Sequence, residues 1–177
     1  PNVFDFKHRI VWSKNETVNS YKEIFHPTVR SVFKYMNIKK GLEIHYQGDL
    51  QKNSGLGTSS AFCVGLFNTL YNIEKKKVSK KKLSLNAIHV EQKMLKENCG
   101  SQDQIWAAYG GFNIIRFNKD GKFFVYPIKK SKKNLNKLDK NMFLVYTGIN
   151  RFSENIEKDK IKNINKNFKN LDKINYI

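Results

Sequence analysis

The feature that most constrains this fold is an apolar run at residues 61–73, which reads AFCVGLFNTLYNI. Its apolar side chains fall on nearly every side of a helix instead of along a single stripe. Such a helix is stable in water only when other elements surround it. We therefore predict a helix at the centre of a domain, and a chain of 177 residues with 40% hydrophobic content is large enough to cover it.

The residues before this helix predict two strands and a first helix. Residues 6–12 have the composition of a strand, and residues 42–46 (LEIHY) alternate apolar and polar side chains. Between them, Pro27 suits the first turn of a helix whose apolar residues recur at helical spacing. The chain therefore enters the buried helix from a half-buried strand.

A second helix is predicted over residues 80–97, with Ser79 as its N-cap. Its inward stripe consists of Leu83, Ala87, Glu91, Met94 and Leu95. Glu91 is the exception, because a carboxylate stands where the stripe needs an apolar group. It is either a surface glutamate at the edge of the stripe or a residue kept for its chemistry.

The segments after this helix predict a polar loop, a hairpin and a connecting region. The loop is predicted at residues 99–113, and FNIIRF and KFFVYP, joined by NKDG, have the pattern of a β-hairpin. Residues 131–141 are a candidate linker, residues 142–147 a further strand and the final 24 residues a helix. The order of strand, glycine turn, buried helix, second helix, loop and hairpin implies an α+β domain.

The formal net charge of +18 does not by itself indicate a nucleic-acid partner. Only four of the basic residues are Arg, which binds phosphates and bases better than Lys does. Lysines spread over every surface segment are typical of a solvated surface, so we expect no nucleic-acid partner. The sequence also lacks an apolar run long enough to span a membrane and a signal-like start, which favours a cytoplasmic protein without a membrane partner.

The glycine-rich turn at residues 53–60 has two explanations. In NSGLGTSS the hydroxyl side chains suit a helix cap, with Thr58 or Ser59 as the capping residue. Alternatively, Gly55 and Gly57 let a phosphate approach the free N–H groups at the N-terminus of the buried helix. The Lys of a P-loop and the third glycine of a dinucleotide-binding turn are both missing, so neither of those sites is predicted.

Asp103 is a candidate catalytic carboxylate. It lies between two glutamines in GSQDQ, where it suits a turn or helix cap as well as a group that positions a substrate hydroxyl. Glu91 would then be the metal ligand, because Mg²⁺ takes few protein ligands and bridges phosphate oxygens. Together, a phosphate cradle, a metal ligand and a base indicate phosphoryl transfer more strongly than any one of them does.

These residues resemble the second motif of the superfamily that contains galactokinase, homoserine kinase, mevalonate kinase and phosphomevalonate kinase. That motif, Gly-Leu-Gly/Ser-Ser-Ser-Ala, is matched by residues 55–61, although Gln51 stands in place of its usual proline. By this resemblance Ser59 and Glu91 fall at the metal-binding positions, and Asp103 falls at the catalytic aspartate. The resemblance implies that the ATP phosphates bind to Ser54, Gly55, Leu56, Gly57, Thr58, Ser59 and Ser60.

Four segments are similar to the D-glycero-D-manno-heptose 7-phosphate kinases of that superfamily: HPTVR, SGLGTSSAFCVGLFNTLY, GSQDQIWAAYGGFNIIRF and LVYTGINR. The resemblance implies a ribosomal-protein-like α+β ATP-binding domain at residues 1–130, a linker at 131–141 and the start of a second α+β domain at 142–177. The family's Gly-Gly-Gly-Thr-Asp segment and its C-terminal glycine-rich motif do not occur in the sequence. We therefore expect an internal fragment that is inactive by itself.

The resemblance implies an enzyme that uses ATP and Mg²⁺ to phosphorylate the anomeric hydroxyl of a heptose 7-phosphate for nucleotide-activated heptose and surface glycans. Another kinase of the superfamily, acting on galactose, fucose, mevalonate or homoserine, would need the same catalytic residues. A basic nucleic-acid-binding module of similar fold is the alternative from another class, but no run of basic and aromatic residues typical of RNA-binding motifs occurs. The sequence does not determine the oligomeric state.

Overall fold

A computed structural model describes residues 7–49, 55–129, 132–145 and 153–174 of the chain. A 3₁₀ turn at Tyr21–Glu23 and a π-helical turn at Val90–Met94 interrupt an otherwise regular set of helices and strands. In chain order, the elements are β1 (His8–Val11), β2 (Asn15–Val18), α1 (Pro27–Met36), β3 (Glu43–His45), α2 (Thr58–Ile73), α3 (Lys80–His89), α4 (Gln102–Tyr109), β4 (Asn113–Phe117), β5 (Phe123–Pro127), α5 (Lys132–Lys140) and α6 (Ser153–Ile174). This mixture confirms the predicted α+β class.

Strands β1, β2 and β3 form one sheet in the order β2-β1-β3. β1 pairs antiparallel with β2 and parallel with β3, so the chain crosses over through α1 before it returns as β3. Ile10 is fully buried and Ile44 is half-buried, which is the inward alternation expected for strands with one covered face. The two strand predictions are confirmed, apart from residue 6, which lies outside the described residues.

Helix α1 begins at Pro27, as its sequence predicted. Proline suits this position because its fixed φ matches the helix and its missing N–H would have had no acceptor there. Val29, Val32 and Phe33 recur at helical spacing and are fully buried. They form part of the core that lies between α1 and α2.

Helix α2 is the central helix, and α1, α3 and α4 all contact it. Cys63, Phe67 and Leu70 are at most 2% exposed. Burial on nearly every side is confirmed only in part, because one strip of the helix is exposed. That strip contains the small or polar residues Ala61, Gly65, Asn68 and Asn72, which recur every three or four positions and so share a face, and it also includes the exposed Thr69 and Ile73.

Residues 80–97 do not form the single α-helix that their pattern predicted. α3 begins as expected after Ser79, whose side chain accepts a hydrogen bond from the Lys82 N–H at 3.1 Å. After α3, however, the backbone widens into the π turn, in which the Leu95 N–H bonds to the Val90 carbonyl at 2.9 Å. A π turn holds one extra residue, so the side chains after it point in directions that α-helical spacing does not give.

The predicted hairpin is confirmed. β4 and β5 pair antiparallel with Asn113 opposite Pro127 at one end and Phe117 opposite Phe123 at the other. Gly121 in the connecting turn has a φ of +77°, a conformation that glycine adopts without steric cost.

Two other downstream predictions are wrong. Residues 99–113 do not form a loop throughout, because residues 102–109 are helix α4, whose fully buried Ile105 lies on a helix that contacts α2 and α3. Residues 142–145 of the predicted strand 142–147 are not a strand, and the other two lie outside the described residues. A strand needs a neighbour for its backbone hydrogen bonds, and no described strand pairs with this segment.

The helix predicted near the C-terminus is confirmed by α6 within residues 153–174. The candidate linker at residues 131–141 contains helix α5, and the division of the chain into domains at this segment stays a prediction. Within the described residues, no helix is both long and apolar enough to cross a membrane.

Candidate functional site

The N-terminus of α2 presents backbone groups and no side-chain cap. Gly57 is the N-cap residue, and the first bond within the helix runs from the Ala61 N–H to the Gly57 carbonyl at 3.0 Å. Thr58 is already helical, so the prediction that Thr58 or Ser59 caps the helix is wrong. The N–H groups of a first helical turn have no acceptor within the helix, and together with the helix dipole they favour an anion.

Both glycines of the turn have left-handed backbone conformations. The φ angle is +76° at Gly55 and +67° at Gly57, values that a residue with a Cβ adopts only with strain. Gly55 and Leu56 are exposed, whereas Ser54 lies outside the described residues. The glycines are therefore explained by the path of the backbone, which also leaves the end of the helix open to a ligand.

Asp103 lies in the first turn of α4 and packs against Gly57. A Cβ built on Gly57 would lie 3.1 Å from both Cγ and Oδ2 of Asp103. The Asp103 side chain is nevertheless exposed to solvent. The structure thus brings the glycine turn and this carboxylate together, so that a phosphate on the turn and an acceptor hydroxyl at Asp103 would be neighbours.

Glu91 lies beneath the same turn and is only 1% exposed. Its Oε2 accepts a hydrogen bond from the Ser60 hydroxyl at 2.9 Å and a second from the Gln104 side-chain amide. Its Oε1 is buried and has no hydrogen-bond partner within the described part of the chain. The carboxylate therefore has one oxygen that accepts from Ser60 and Gln104, with the Cys99 thiol as a third and weaker donor at 3.9 Å, and one oxygen that is unpartnered among the described residues.

Burial raises the pKa of Glu91, because desolvation disfavours the charged form. The hydrogen bonds from Gln104 and Ser60 act in the opposite direction, and the negative charges of Glu97 and Asp103 raise the pKa further. A bound cation would favour the ionised carboxylate.

Glu91 also lies in the π turn that follows α3. The Glu97 N–H bonds to the Glu91 backbone carbonyl at 2.9 Å, so the irregular end of this helix keeps its backbone hydrogen-bonded. Such turns are frequent at functional sites. The inward stripe predicted for residues 80–97 nevertheless continues past the π turn, because Met94 and Leu95 are half-buried against the core.

The two serines of the turn have different surroundings. Ser59 is exposed, whereas Ser60 is buried and is the residue of α2 that hydrogen-bonds to Glu91. Consecutive residues of an α-helix point about 100° apart, which accounts for the difference. The structure therefore brings Glu91 together with Ser60, and the pairing of Ser59 with Glu91 around a metal stays a prediction.

Sequence reasoning missed Gln104 and Cys99 as neighbours of Glu91. Gln104 is fully buried, and the Cys99 Sγ lies 3.9 Å from the Glu91 Oε2. Desolvation raises the pKa of Cys99 to about 12, so its thiol stays protonated near neutral pH. One sequence signal could have identified Gln104. It directly precedes the apolar run that begins at Ile105, so it could have been predicted on the inner face of a helix.

The residues present fit a magnesium ion and a phosphate group. Mg²⁺ binds carboxylate oxygens, and the unpartnered Oε1 of Glu91 is a buried oxygen that a cation would satisfy. At Gly57, a Cβ would meet the Asp103 side chain, so the absence of a side chain there keeps the end of α2 open beside that carboxylate.

Residues 22–111 match the family described as GHMP kinases N terminal domain. The chain belongs to this family. The matched range contains the glycine turn, Glu91 and Asp103, so the candidate site of this GHMP kinase chain lies within its family domain. The resemblance seen in the sequence is thereby confirmed for the family and for the fold.

Two known proteins are similar to this GHMP kinase chain. The D-glycero-alpha-D-manno-heptose 7-phosphate kinase of Campylobacter jejuni subsp. jejuni is 28% identical over 117 residues, which are 66% of this chain and 34% of that enzyme. The crystal structure of a D-glycero-D-manno-heptose 1-phosphate kinase from Bacteroides thetaiotaomicron superposes with a TM-score of 0.67 and 22% identity, over 74% of this chain and 47% of that one. The superposition shows a shared fold, and the chain spans about a third of the length of the curated relative.

Proposed function

We propose that this GHMP kinase chain forms the ATP- and Mg²⁺-binding part of a sugar kinase that phosphorylates the anomeric hydroxyl of a heptose 7-phosphate. The product would be a heptose 1,7-bisphosphate for the synthesis of nucleotide-activated heptose and surface glycans. The observation that carries the proposal is the packing of Asp103 against Gly57, which sets a carboxylate beside a phosphate-binding helix N-terminus. A heptose phosphate in the names of both similar proteins supports the class of substrate.

Residues 54–60 would bind the β- and γ-phosphates of ATP. The donors would be the backbone N–H groups at the start of α2, and the positive end of the helix dipole would add to their effect. Phosphoryl transfer depends mainly on positioning and on neutralising charge, so a fixed set of backbone donors is a suitable catalyst.

Asp103 would orient the attacking hydroxyl and accept its proton. The anomeric oxygen would form a bond to the γ-phosphorus while the bond between that phosphorus and the ADP oxygen breaks. Because Asp103 is exposed and adjoins Gly57, its carboxylate can meet a sugar hydroxyl next to phosphates held at the N-terminus of α2.

Glu91 and Ser59 are the residues that would hold a Mg²⁺ ion, and the ion would supply positive charge that stabilises the transferring phosphoryl group. Glu91 would hold the ion through its unpartnered Oε1, and the Ser59 hydroxyl is the second predicted ligand. Ser60 would contribute indirectly, because its hydrogen bond holds the other carboxylate oxygen of Glu91.

The proposal is tested by measuring ADP release from the protein encoded by the complete reading frame. The acceptors are heptose 7-phosphate, heptose 1-phosphate, galactose, fucose, mevalonate and homoserine, and heptose 7-phosphate is expected to give the highest kcat/KM. A preference for another acceptor would replace the proposed substrate, and no ADP release with any of them would overturn the proposed kinase activity.

The role of Asp103 is tested by Asp103→Asn in the same protein. Turnover should fall by roughly 10²- to 10⁴-fold, because the amide cannot accept the proton. ATP binding, measured by calorimetry, should be retained. Asp120→Asn is the matched control, since Asp120 lies in the hairpin turn, where it pairs with Lys122 at 2.8 Å. Near-normal turnover of Asp103→Asn would refute the proposed role.

A further inference from the structure

We propose that Gln104 is a positioning residue that fixes the orientation of Glu91, so that the carboxylate presents Oε1 to the metal ion. The inference deepens the proposed function and rests on its assignment of Glu91 as a metal ligand. It concerns a residue that touches neither the nucleotide nor the sugar in that mechanism. Gln104 would act only by holding the Glu91 carboxylate in the orientation that binds the metal.

A hydrogen bond joins the side chains of Gln104 and Glu91. Gln104 is fully buried in the first turn of α4, and its Nε2 donates to the Oε2 of Glu91. A hydrogen bond to an ionised acceptor is about twice as strong as one between neutral groups, and it is stronger still away from water. Gln104 is thus a fixed donor in the core, directed at the group that the proposed mechanism uses.

The Ser60 hydroxyl and the Gln104 amide donate to the same oxygen of Glu91. Ser60 from α2 and Gln104 from α4 donate to Oε2, so this oxygen is held from two helices at once. The Oε1 of Glu91 is left without a partner among the described residues. Without Gln104, Ser60 and the more distant Cys99 thiol would be the donors left on Oε2, so the plane of the carboxylate would be held less firmly and its free oxygen would turn away from the metal more readily.

Gln104 also links the two carboxylates of the site, Asp103 and Glu91. It is the residue after Asp103, so the turn of α4 that places Asp103 against Gly57 also places Gln104 against Glu91. The chain before α4 is held as well, because the Gln92 side-chain amide donates to the Cys99 carbonyl at 3.0 Å and to the Ser101 hydroxyl at 3.2 Å. The distance between the proposed base, Asp103, and the proposed metal ligand, Glu91, therefore depends on how α4 packs.

The test is Gln104→Met, which keeps the length and apolar volume of the side chain but removes the donor. Mn²⁺ replaces Mg²⁺ as the probe, and its binding to the protein encoded by the complete reading frame, in the presence of a non-hydrolysable ATP analogue, is measured from the loss of the free Mn²⁺ signal in electron paramagnetic resonance. Removing a group that orients a metal ligand typically weakens binding by about 10- to 100-fold, and that loss is expected here. Gln102→Met on the exposed side of the same helix is the matched control and should bind as the wild type does.

Ser60→Ala provides a second variant on the same oxygen. It removes the hydroxyl donor and should also weaken Mn²⁺ binding, so the inference stays testable if Gln104→Met does not fold. In the protein encoded by the complete reading frame, Gln104→Met should raise the Mg²⁺ concentration needed for half-maximal turnover while the KM for the sugar phosphate is unchanged. A purely structural role would not separate these two constants.

The outcomes distinguish this inference from the proposed function. Mn²⁺ affinity within two-fold of the wild type in a folded Gln104→Met chain would overturn the positioning role and leave the kinase proposal untouched. A wild-type protein that binds Mn²⁺ through Glu91 but transfers no phosphoryl group would overturn the kinase proposal alone. Absence of Mn²⁺ binding by the wild type with the ATP analogue would overturn the metal site and, with it, the role of Gln104.

Discussion

Gly57→Ala tests whether the glycine turn and Asp103 act together. A Cβ at residue 57 would lie 3.1 Å from the Cγ and Oδ2 of Asp103 and 3.3 Å from its Cβ. These contacts are tighter than nine in ten real Cβ contacts, so the aspartate must move by a few tenths of an ångström. The substitution therefore strains the backbone and also displaces the proposed base.

The expected loss of stability comes mainly from the backbone. A residue with a Cβ at a φ of +67° costs about 1–2 kcal/mol relative to glycine. The Asp103 side chain is exposed and can rotate away, so an off-rotamer cost of about 1.5 kcal/mol is the upper limit for the contact. A misplacement of about 1 Å near the reacting atoms can lower turnover on the order of 10²-fold. Because Asp103 moves by only a few tenths of an ångström, we expect turnover to fall by about ten-fold.

Gly55→Ala is the matched control for the backbone. Gly55 has a similar φ of +76°, but no atom lies within 4 Å of the position that its Cβ would take. Urea denaturation of the 177-residue chain should give similar losses of stability for the two variants. Turnover is measured at saturating ATP in the protein encoded by the complete reading frame. It should be about ten-fold lower for Gly57→Ala than for Gly55→Ala. Equal turnover in the two variants would refute the idea that Gly57 is small because of Asp103.

Two further substitutions separate stability from function. Burial raises the pKa of Glu91 in the folded chain, so the folded state binds this proton more tightly than the unfolded state and loses stability as the pH rises through the folded pKa. Glu91→Gln should remove that loss and raise the Tm near neutral pH while Mn²⁺ binding disappears, and a lower Tm would contradict the argument. Gly65→Ala adds a methyl group to the exposed strip of α2, where no atom lies within 4 Å, and should stabilise the chain by about 0.5–1 kcal/mol in urea denaturation.

Local sequence patterns predicted the elements that their own residues determine. In α2 most positions are apolar, so burial follows from composition, and the exposed strip consists mostly of small or polar residues, with Ile73 as an apolar exception. In the β4–β5 hairpin, two runs of β-branched and aromatic residues flank a short turn that contains Gly121. In both cases the information lies within a few neighbouring residues.

Tertiary contacts determine the elements that those patterns missed. The first turn of α4 is polar, so its sequence by itself is typical of a loop. Gln104 can be buried there because Glu91, on another helix, accepts a hydrogen bond from its amide. The π turn contains neither Pro nor Gly, so no residue marks the place where α3 ends. Both features arise where two helices meet, and a pattern within one helix cannot show that meeting.

The candidate site shows the same division. Sequence spacing alone could not show that Asp103 lies against Gly57, and the expected link between them came from the family resemblance. Glu91 was recognised because it is a charged residue within the apolar pattern of its helix. In the structure its carboxylate is buried in the core, where desolvation of the charged form costs free energy. The Ser60 and Gln104 donors offset part of that cost, but the unpartnered Oε1 adds nothing to folding stability and is the part of the carboxylate that the proposed metal site would use. The unpartnered Oε1 of Glu91 is accordingly the atom at which the proposed metal site is most directly tested.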